Sequence, residues 1–266
     1  MLELSKHEGA GNDFLVALGP APAGPELARA LCDRRRGVGA DGLIVVVPGE
    51  PGGAGVPGAD LSMRLWNADG SEAEMSGNGI RCLAQAAVIA GLVSPPRFTV
   101  ATAAGVRSVD YEPGPGAADA TASVDMGEVR LGADLPDLRA TEVDVGNPHL
   151  VVLVDDVDAV DLRSLAAELA PDYPRGVNVE VVAPRPGGLA MRVWERGAGE
   201  TLACGTGSCA AAAAARHWGL VGDRVQVVNP GGPLEVRLEG TTAVLAGPVR
   251  RVAGVTVALG GALVAR

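Results

Sequence analysis

Hydrophobic positions along this chain fall into short runs rather than long periodic stretches. Apolar segments bounded by Gly, Pro, Asn or Asp predict strands. They lie at Leu15–Leu18, Leu43–Val47, Leu61–Trp66, Phe98–Ala101, Ala122–Asp125, Leu150–Val154, Val179–Val182, Ala190–Trp194, Val225–Val228, Leu234–Leu238 and Ala243–Ala246. Helical spacing predicts four helices, at about 25–35, 78–90, 161–170 and 206–218. The Gly/Pro-rich run Pro48–Gly58 reads as a surface loop. No apolar run reaches 18 residues, so no transmembrane helix is expected.

Two stretches of this pattern are versions of one another. Residues 63–93 read MRLWNADGSEAEMSGNGIRCLAQAAVIAGLV, and residues 191–221 read MRVWERGAGETLACGTGSCAAAAAARHWGLV. They align without a gap at a constant offset of 128. Met63, Arg64, Trp66, Glu72, Gly77, Gly79, Gly91, Leu92 and Val93 each meet an identical residue, and Ser76 falls opposite Cys204. Gly11-Asn12-Asp13-Phe14-Leu15-Val16 resembles Gly146-Asn147-Pro148-His149-Leu150-Val151, and Arg36-Gly37-Val38 resembles Arg175-Gly176-Val177. Three matched blocks in one order predict twin domains related by a pseudo-two-fold axis. The breaker run Glu112-Pro113-Gly114-Pro115-Gly116 marks the expected boundary. The expected domains are 1–113 and 114–250, with 251–266 returning to complete the first domain's sheet.

Composition narrows the function. A net charge of −10 argues against a nucleic-acid surface. The start, MLELSKHEGAGNDF, is too polar for a signal peptide. Cys32, Cys82, Cys204 and Cys209 show no C-x-x-C spacing, so neither zinc nor a disulfide framework is expected. A cytoplasmic setting fits. Lys6 is the sole lysine, so it alone could form a Schiff base with pyridoxal phosphate.

Each repeat places a strand, a glycine-containing turn and an Ala-rich helix in succession. Ser76-Gly77-Asn78-Gly79 and Cys204-Gly205-Thr206-Gly207 sit where those helices begin. Free N–H groups and the helix dipole attract anions there, and a substrate carboxylate is a natural occupant. The same position is expected to lower the pKa of Cys204 and make it a base or nucleophile. Cys32, Cys82 and Cys209 read as packing residues, and His7 and His217 as structural ones.

The ordered motifs resemble the diaminopimelate epimerase family over almost the full chain. They are Lys6-His7-Glu8-Gly9-Ala10-Gly11-Asn12-Asp13-Phe14, Gly37-Val38-Gly39-Ala40-Asp41-Gly42, Asn67-Ala68-Asp69-Gly70-Ser71-Glu72-Ala73-Glu74-Met75, and Gly77-Asn78-Gly79-Ile80-Arg81-Cys82. Gly146-Asn147-Pro148-His149, Gly176-Val177-Asn178, Glu195-Arg196-Gly197-Ala198-Gly199-Glu200-Thr201 and Ala203-Cys204-Gly205-Thr206-Gly207 follow in the family's order. The resemblance implies an α+β fold of two pseudo-symmetric domains. Each would be a mixed, mostly antiparallel β-sheet or barrel wrapped around a central helix. It implies a cofactor-free, metal-free isomerase that converts L,L-diaminopimelate to the meso form for lysine and peptidoglycan synthesis. Its partner would be a small-molecule substrate, with neither nucleic acid nor membrane, and a homodimer fits the reading.

Carried over by motif, Cys204 and Ser76 would transfer the α-proton, with His149 and Glu195 tuning or orienting them. Asn12, Asn67, Asn147, Asn178, Glu195 and Arg196 would bind the amino-acid groups. Gly77 with Asn78, and Gly205 with Thr206, would offer backbone donors to the reacting carboxylate. The family pattern has cysteine where this chain has Ser76, and some members carry glutamine at the position of Gly42. A hydroxyl is a far weaker acid than a thiol. Three further readings therefore stand beside the epimerase. These are a same-fold racemase, a one-base dehydratase acting on another amino acid, and a non-catalytic amino-acid-binding homologue.

Overall fold

The computed structural model describes residues 1–19, 21–48, 58–116 and 118–258. In chain order the elements of its first half are β1 (Leu2–Gly9), β2 (Asn12–Leu18), α1 (Pro25–Cys32), β3 (Gly42–Pro48), β4 (Leu61–Asn67), β5 (Glu72–Ala73), α2 (Gly77–Ile89), β6 (Arg97–Thr102), β7 (Gly105–Pro113) and β8 (Asp119–Glu128). There follow β9 (Arg130–Leu135), β10 (Ala140–Asp144), β11 (Pro148–Leu153), α3 (Leu162–Leu169), β12 (Asn178–Arg185), β13 (Gly188–Glu195), β14 (Gly199–Thr201), α4 (Gly205–His217), β15 (Arg224–Asn229), β16 (Gly232–Glu239) and β17 (Thr242–Val257). The class is α+β. None of the helices among the described residues is long and apolar enough to cross a membrane.

The chain divides into two units, Met1–Val124 with Pro248–Arg266, and Asp125–Gly247. In the first, β1 pairs antiparallel with β2, β2 runs parallel to β3, and β3 pairs antiparallel with β4. β4 runs parallel to β6, and β6–β7–β8 form a meander. β17 pairs with both β8 and β1, which closes the ring. In the second unit, β9–β10 and β10–β11 are antiparallel, β11–β12 parallel, β12–β13 antiparallel and β13–β15 parallel. The β15–β16–β17 meander follows, and the Val129 N–H donates to Thr241 O at 2.7 Å. The order of connections is that of the first unit.

Each ring holds one helix. α2 packs on β1, β2, β3 and β7, and α4 on β10 through β13, β15 and β16. Residues Gly77–Ala87 of α2 are all buried, as are Gly207–Ala215 of α4. Small side chains make this feasible, because an Ala-rich helix lets surrounding strands approach on every side. β2, β3, β11 and β12 are covered on both faces, so they read as continuous apolar runs, whereas β8, β15 and β16 alternate buried and exposed positions. Leu15, Leu43 and Val45 turn outward against Leu27, Ala28 and Leu31 of α1. Leu150, Val179 and Val181 do the same against Leu162 and Leu169 near α3.

All eleven expected strands and the four helices are present. The run Glu112–Gly116 differs from its expected role. It ends β7 and turns into β8, with Gly114 N–H donating to Asp119 O, so the chain changes unit only between Val124 and Asp125, within β8. A proline–glycine pair ends a strand as readily in a hairpin as between domains. The return of the C-terminal segment is direct, since Leu2–Leu4 face Val257–Val255 across β1 and β17. Of the expected loop Pro48–Gly58, positions 49–57 lie outside the described residues, as do 259–264 of the expected C-terminal strand.

His7 of β1 locks α2 in its ring. It is fully buried, with Nδ1 2.7 Å from Gln85 Oε1 and Nε2 2.9 Å from Ser5 Oγ. Gln85 in turn donates to Ala118 O at 2.8 Å. Burial lowers the His7 pKa below its ordinary 6.5, partly opposed by the Gln85 hydrogen bond and assisted by Arg251. The folded value is therefore the lower one, and below pH 6.5 the unfolded chain binds more protons. Stability is present above that pH and is lost as pH falls through the interval. His7→Leu should cost about 1–3 kcal/mol by orphaning Gln85. It should also flatten the pH dependence of urea midpoints between neutrality and mild acid. An unchanged slope would rule out His7 as its source.

Candidate active site

The helix starts carry the site. Ser76 caps α2 in an extended conformation (φ −143°, ψ 119°), and its Oγ accepts the Gly79 N–H at 3.0 Å. Cys204 caps α4 almost identically (φ −124°, ψ 120°), and its Sγ accepts the Gly207 N–H at 3.3 Å. The two helices span equivalent residues, 77–89 and 205–217, at the repeat offset. The preceding hairpins match as well. Arg64 pairs with Glu72 at 3.1 Å, and Arg192 with Glu200 at 2.7 Å.

In the second unit, titratable groups surround the cap. Cys204 is buried, and Thr206 Oγ1 lies 3.4 Å from its sulfur. Burial, then Glu195 and Glu180, push its pKa well above the ordinary thiol value. The Thr206 hydroxyl and Gly207 N–H pull the other way but do not prevail. The expected lowering at a helix start is therefore reversed, because a buried sulfur beside two carboxyls loses more from desolvation than one helix terminus returns. Glu195 is also raised by burial, against hydrogen bonds from Thr201 and Cys204. The thiol thus rests protonated, under the influence of Glu195.

His149 is buried in β11, with Nδ1 2.7 Å from Glu180 Oε1 and Nε2 2.9 Å from Asn147 Oδ1. Asn147 Nδ2 reaches Thr206 Oγ1 at 3.5 Å. Asn178 is fixed by two contacts, donating to Pro148 O and accepting the Arg196 N–H, each at 2.9 Å. It thereby anchors the turn that carries Arg196. The Arg196 side chain is exposed and packs across Gly176, where a Cβ would sit 2.6 Å from its Cδ. Glycine at 176 (φ 75°) is what lets that side chain lie there.

In the first unit, Asn12 donates to Asp41 Oδ2 at 2.6 Å and accepts from Asn78 at 3.4 Å. Asp41 also accepts the Asp13 N–H and an Arg34 N–H, and Lys6 bridges Asp13 and Gly39 O. The single lysine thus has a structural post. Asn67 is exposed and donates to Ser71 Oγ at 3.0 Å. Arg81 is fully buried, donating to Asn78 Oδ1 at 2.8 Å and Gly77 O at 3.3 Å. Gly42 opposes Asn67, and a Cβ there would meet Trp66 O at 2.9 Å and the Phe14 ring at 3.1 Å. A longer side chain at 42 would require both to move.

Equivalent positions show how differently the half-sites are furnished. The paired strands place Phe14 where the second unit has His149, and Ile44 where it has Glu180. The offset of 128 places Asn67 opposite Glu195 and Arg81 opposite Cys209. In the first unit Asn12 meets Asn78 at the start of α2, while Asn67 is hydrogen-bonded to Ser71 in the turn before it. In the second, contacts run from Cys204 through Thr206 and Asn147 to His149, while Asn178 joins Pro148 to Arg196. Sequence reasoning missed Glu180, Arg81 and the Asp13–Asp41 network. Glu180 had a signal, since it is the one charge in the apolar strand Val177–Val182. Cys82 and Cys209 are fully buried, and burial pushes Cys82 up to about 12. Among the described residues, no group of three or more His, Cys, Asp or Glu could hold a metal ion.

Known proteins share both sequence and fold with this chain. A family described as Diaminopimelate epimerase matches residues 4–132 and 141–252. A diaminopimelate epimerase of Cyanothece sp. is 40% identical over 286 residues, covering 94% of this chain and 98% of the relative. One of Corynebacterium aurimucosum is 40% identical over 273 residues, covering 95% and 98%. Among solved structures, a PhzF-family phenazine biosynthesis protein of Bacillus anthracis superposes with a TM-score of 0.74 at 14% identity, covering 97% of this chain and 99% of that one. A probable proline racemase of Agrobacterium radiobacter superposes with a TM-score of 0.73 at 20% identity, covering 98% and 94%. Those two share the fold. The match of motifs, fold and relatives has one conclusion: the chain belongs to the diaminopimelate epimerase family.

Proposed function

We propose that this protein epimerises L,L-diaminopimelate to the meso form without a cofactor, in lysine and peptidoglycan precursor synthesis, in the cytoplasm. Cys204 and Ser76 are the two proton-transfer groups. The observation that carries the reading is Cys204 capping a buried helix start, with the Glu195 carboxyl, itself raised by burial, close enough to act on the thiol. Glu195 takes the thiol proton, and the thiolate removes the α-proton from one face of the substrate carbon. The C–H electron pair passes into the carboxylate, which the N–H groups of Gly205, Thr206, Gly77 and Asn78 stabilise. A proton delivered to the opposite face by Ser76 completes inversion, and solvent then reprotonates the Ser76 oxygen while Glu195 releases its proton. Asn12, Asn67, Asn147, Asn178 and Arg196 hold the amino-acid groups, and Arg196 suits a carboxylate best.

Incubation with L,L-diaminopimelate in deuterated water should give meso product with one deuterium at the inverted carbon, by chiral chromatography and mass spectrometry. Absence of both exchange and inversion would sink the reading. Exchange without inversion would instead favour a one-base reaction on the Cys204 face. That second reading is supported by the first unit, where Phe14, Ile44 and Asn67 supply no base for Ser76.

The same asymmetry predicts the effect of restoring symmetry. Ser76→Cys should raise kcat by about 100-fold, the scale of one general acid–base contribution. The cap survives, because Cys204 shows that sulfur fits this geometry. An unchanged kcat would remove Ser76 from proton transfer.

Glu195 must be ionised to accept the thiol proton, and burial raises its pKa. Activity should therefore fall on the acid side at a pH above the ordinary carboxylate range. Glu195→Gln should cost about 100-fold or more in kcat and abolish that limb of the pH–rate profile. A profile with its acid limb intact in the variant would assign the limb elsewhere.

A further inference from the structure

One buried carboxyl takes no part in that scheme. Glu180 of β12 has no exposed side-chain surface. Its Oε1 lies 2.7 Å from His149 Nδ1, and its Oε2 has no hydrogen-bond partner among the described residues. Contacts then continue without a break. His149 Nε2 is 2.9 Å from Asn147 Oδ1, Asn147 Nδ2 is 3.5 Å from Thr206 Oγ1, and Thr206 Oγ1 is 3.4 Å from Cys204 Sγ. Five side chains from β12, β11 and its preceding turn, and the start of α4 form one chain that ends at the thiol.

The chain has a direction. A carboxylate and an amide oxygen both accept, so the ring between them donates from both nitrogens. Asn147 then turns its NH2 toward Thr206, and the Thr206 proton is left for the sulfur. Every donor beyond the ring points at Cys204, and aligned donors reinforce one another in a buried site. A charged ring at this depth needs a buried counter-charge, and Glu180 supplies it. The groups facing the ring and thiol are Glu180 from β12 and Glu195 from β13. Both carboxylates oppose ionisation of Cys204 directly, and the ring's positive charge offsets Glu180.

We propose that Glu180 is a positioning residue that holds His149 as an imidazolium and, through Asn147, turns the Thr206 hydroxyl toward the Cys204 sulfur. The inference rests on Cys204 being a proton-transfer group, and it deepens that reading.

Two measurements on the intact protein test it without turnover. Nitrogen-15 NMR of the His149 ring at pH 8 should show both nitrogens protonated in the wild type and a neutral ring in Glu180→Gln. Alkylation of Cys204 by iodoacetamide, followed by peptide mass spectrometry across pH, should slow in Glu180→Gln by on the order of tenfold at pH 8, the scale on which outer partners of a reacting group act. Its midpoint should move upward. Thr206→Val should give a similar fall, and the double variant should fall no further, because the two act through one hydrogen bond. A neutral ring in the wild type overturns the proposal even if Glu180→Gln does not fold. So does alkylation of Glu180→Gln at the wild-type rate, or additive losses. If ring and thiol behave as expected while no amino acid is epimerised, the proposed function fails and the Glu180 assignment stands.

Discussion

A helix buried on every side has nowhere to send its first backbone N–H groups except to its own cap or to a ligand. That constraint shapes both units. α2 and α4 lie inside closed strand rings, and their first turns are buried except at Thr206, which is half-exposed. Ser76 Oγ and Cys204 Sγ each take the donor three residues on. The remaining first-turn donors point the same way, and the proposed carboxylate site rests on them. The rest follows from fitting a ring around such an end. The third helical residue is glycine in both copies because a Cβ there would press on the cap at 3.1–3.2 Å. At Gly207 it would also meet Glu180 Oε1 at 2.6 Å, whereas at Gly79 the neighbour is the Ile44 methyl at 3.3 Å.

That last contrast extends through both half-sites. One backbone plan is furnished with apolar and amide side chains in the first unit and with ionisable ones in the second. Phe14, Ile44, Asn67 and Ser76 stand where His149, Glu180, Glu195 and Cys204 stand. A duplicated scaffold requires only that both helix starts bind an anion. It does not require both to move protons equally well. The first unit gives its charged groups structural roles instead. Arg81 ties Asn78 and Gly77 into the helix, while Asp41 and Asp13 draw Asn12, Arg34 and Lys6 together.

The central helices and their caps were legible because two copies of the same residues carried them. The ring strands were legible where both faces are apolar, as in Leu43–Val47 and Val179–Val182. Alternating strands such as Leu234–Leu238 were legible too, but β1 and β9 were not. β9, Arg130–Leu135, is exposed along nearly its whole length, so no burial constrained its residues. β1 carries Lys6, His7 and Glu8, whose polarity reads as loop until their partners are known. β17 was read only to Ala246, because Gly247-Pro248 resembles a terminator. In space it is where one strand leaves β16 and takes up β1. The cap residues were found from sequence, but the sign of the Cys204 pKa was not. That sign depends on how deeply the sulfur is buried and on two carboxyls from neighbouring strands. Neither is visible along the chain.

A raised thiol is no obstacle to removing a proton from carbon. A weak carbon acid calls for a strong base, and desolvation makes the thiolate that does form more basic than one lowered by a helix dipole. The cost is that fewer thiolates exist at rest. Glu195 lessens that cost because burial raises its carboxyl as well. Moving a proton from sulfur to carboxylate then exchanges one desolvated charge for another instead of creating a new one. Ser76 has no acceptor of this kind at the equivalent position, which holds Asn67. A hydroxyl beside an amide can pass on a proton it already carries far more easily than it can take one from carbon. In the proposed reaction the direction of fast proton flow is therefore set by Asn67 and Glu195 as much as by the serine and cysteine they accompany.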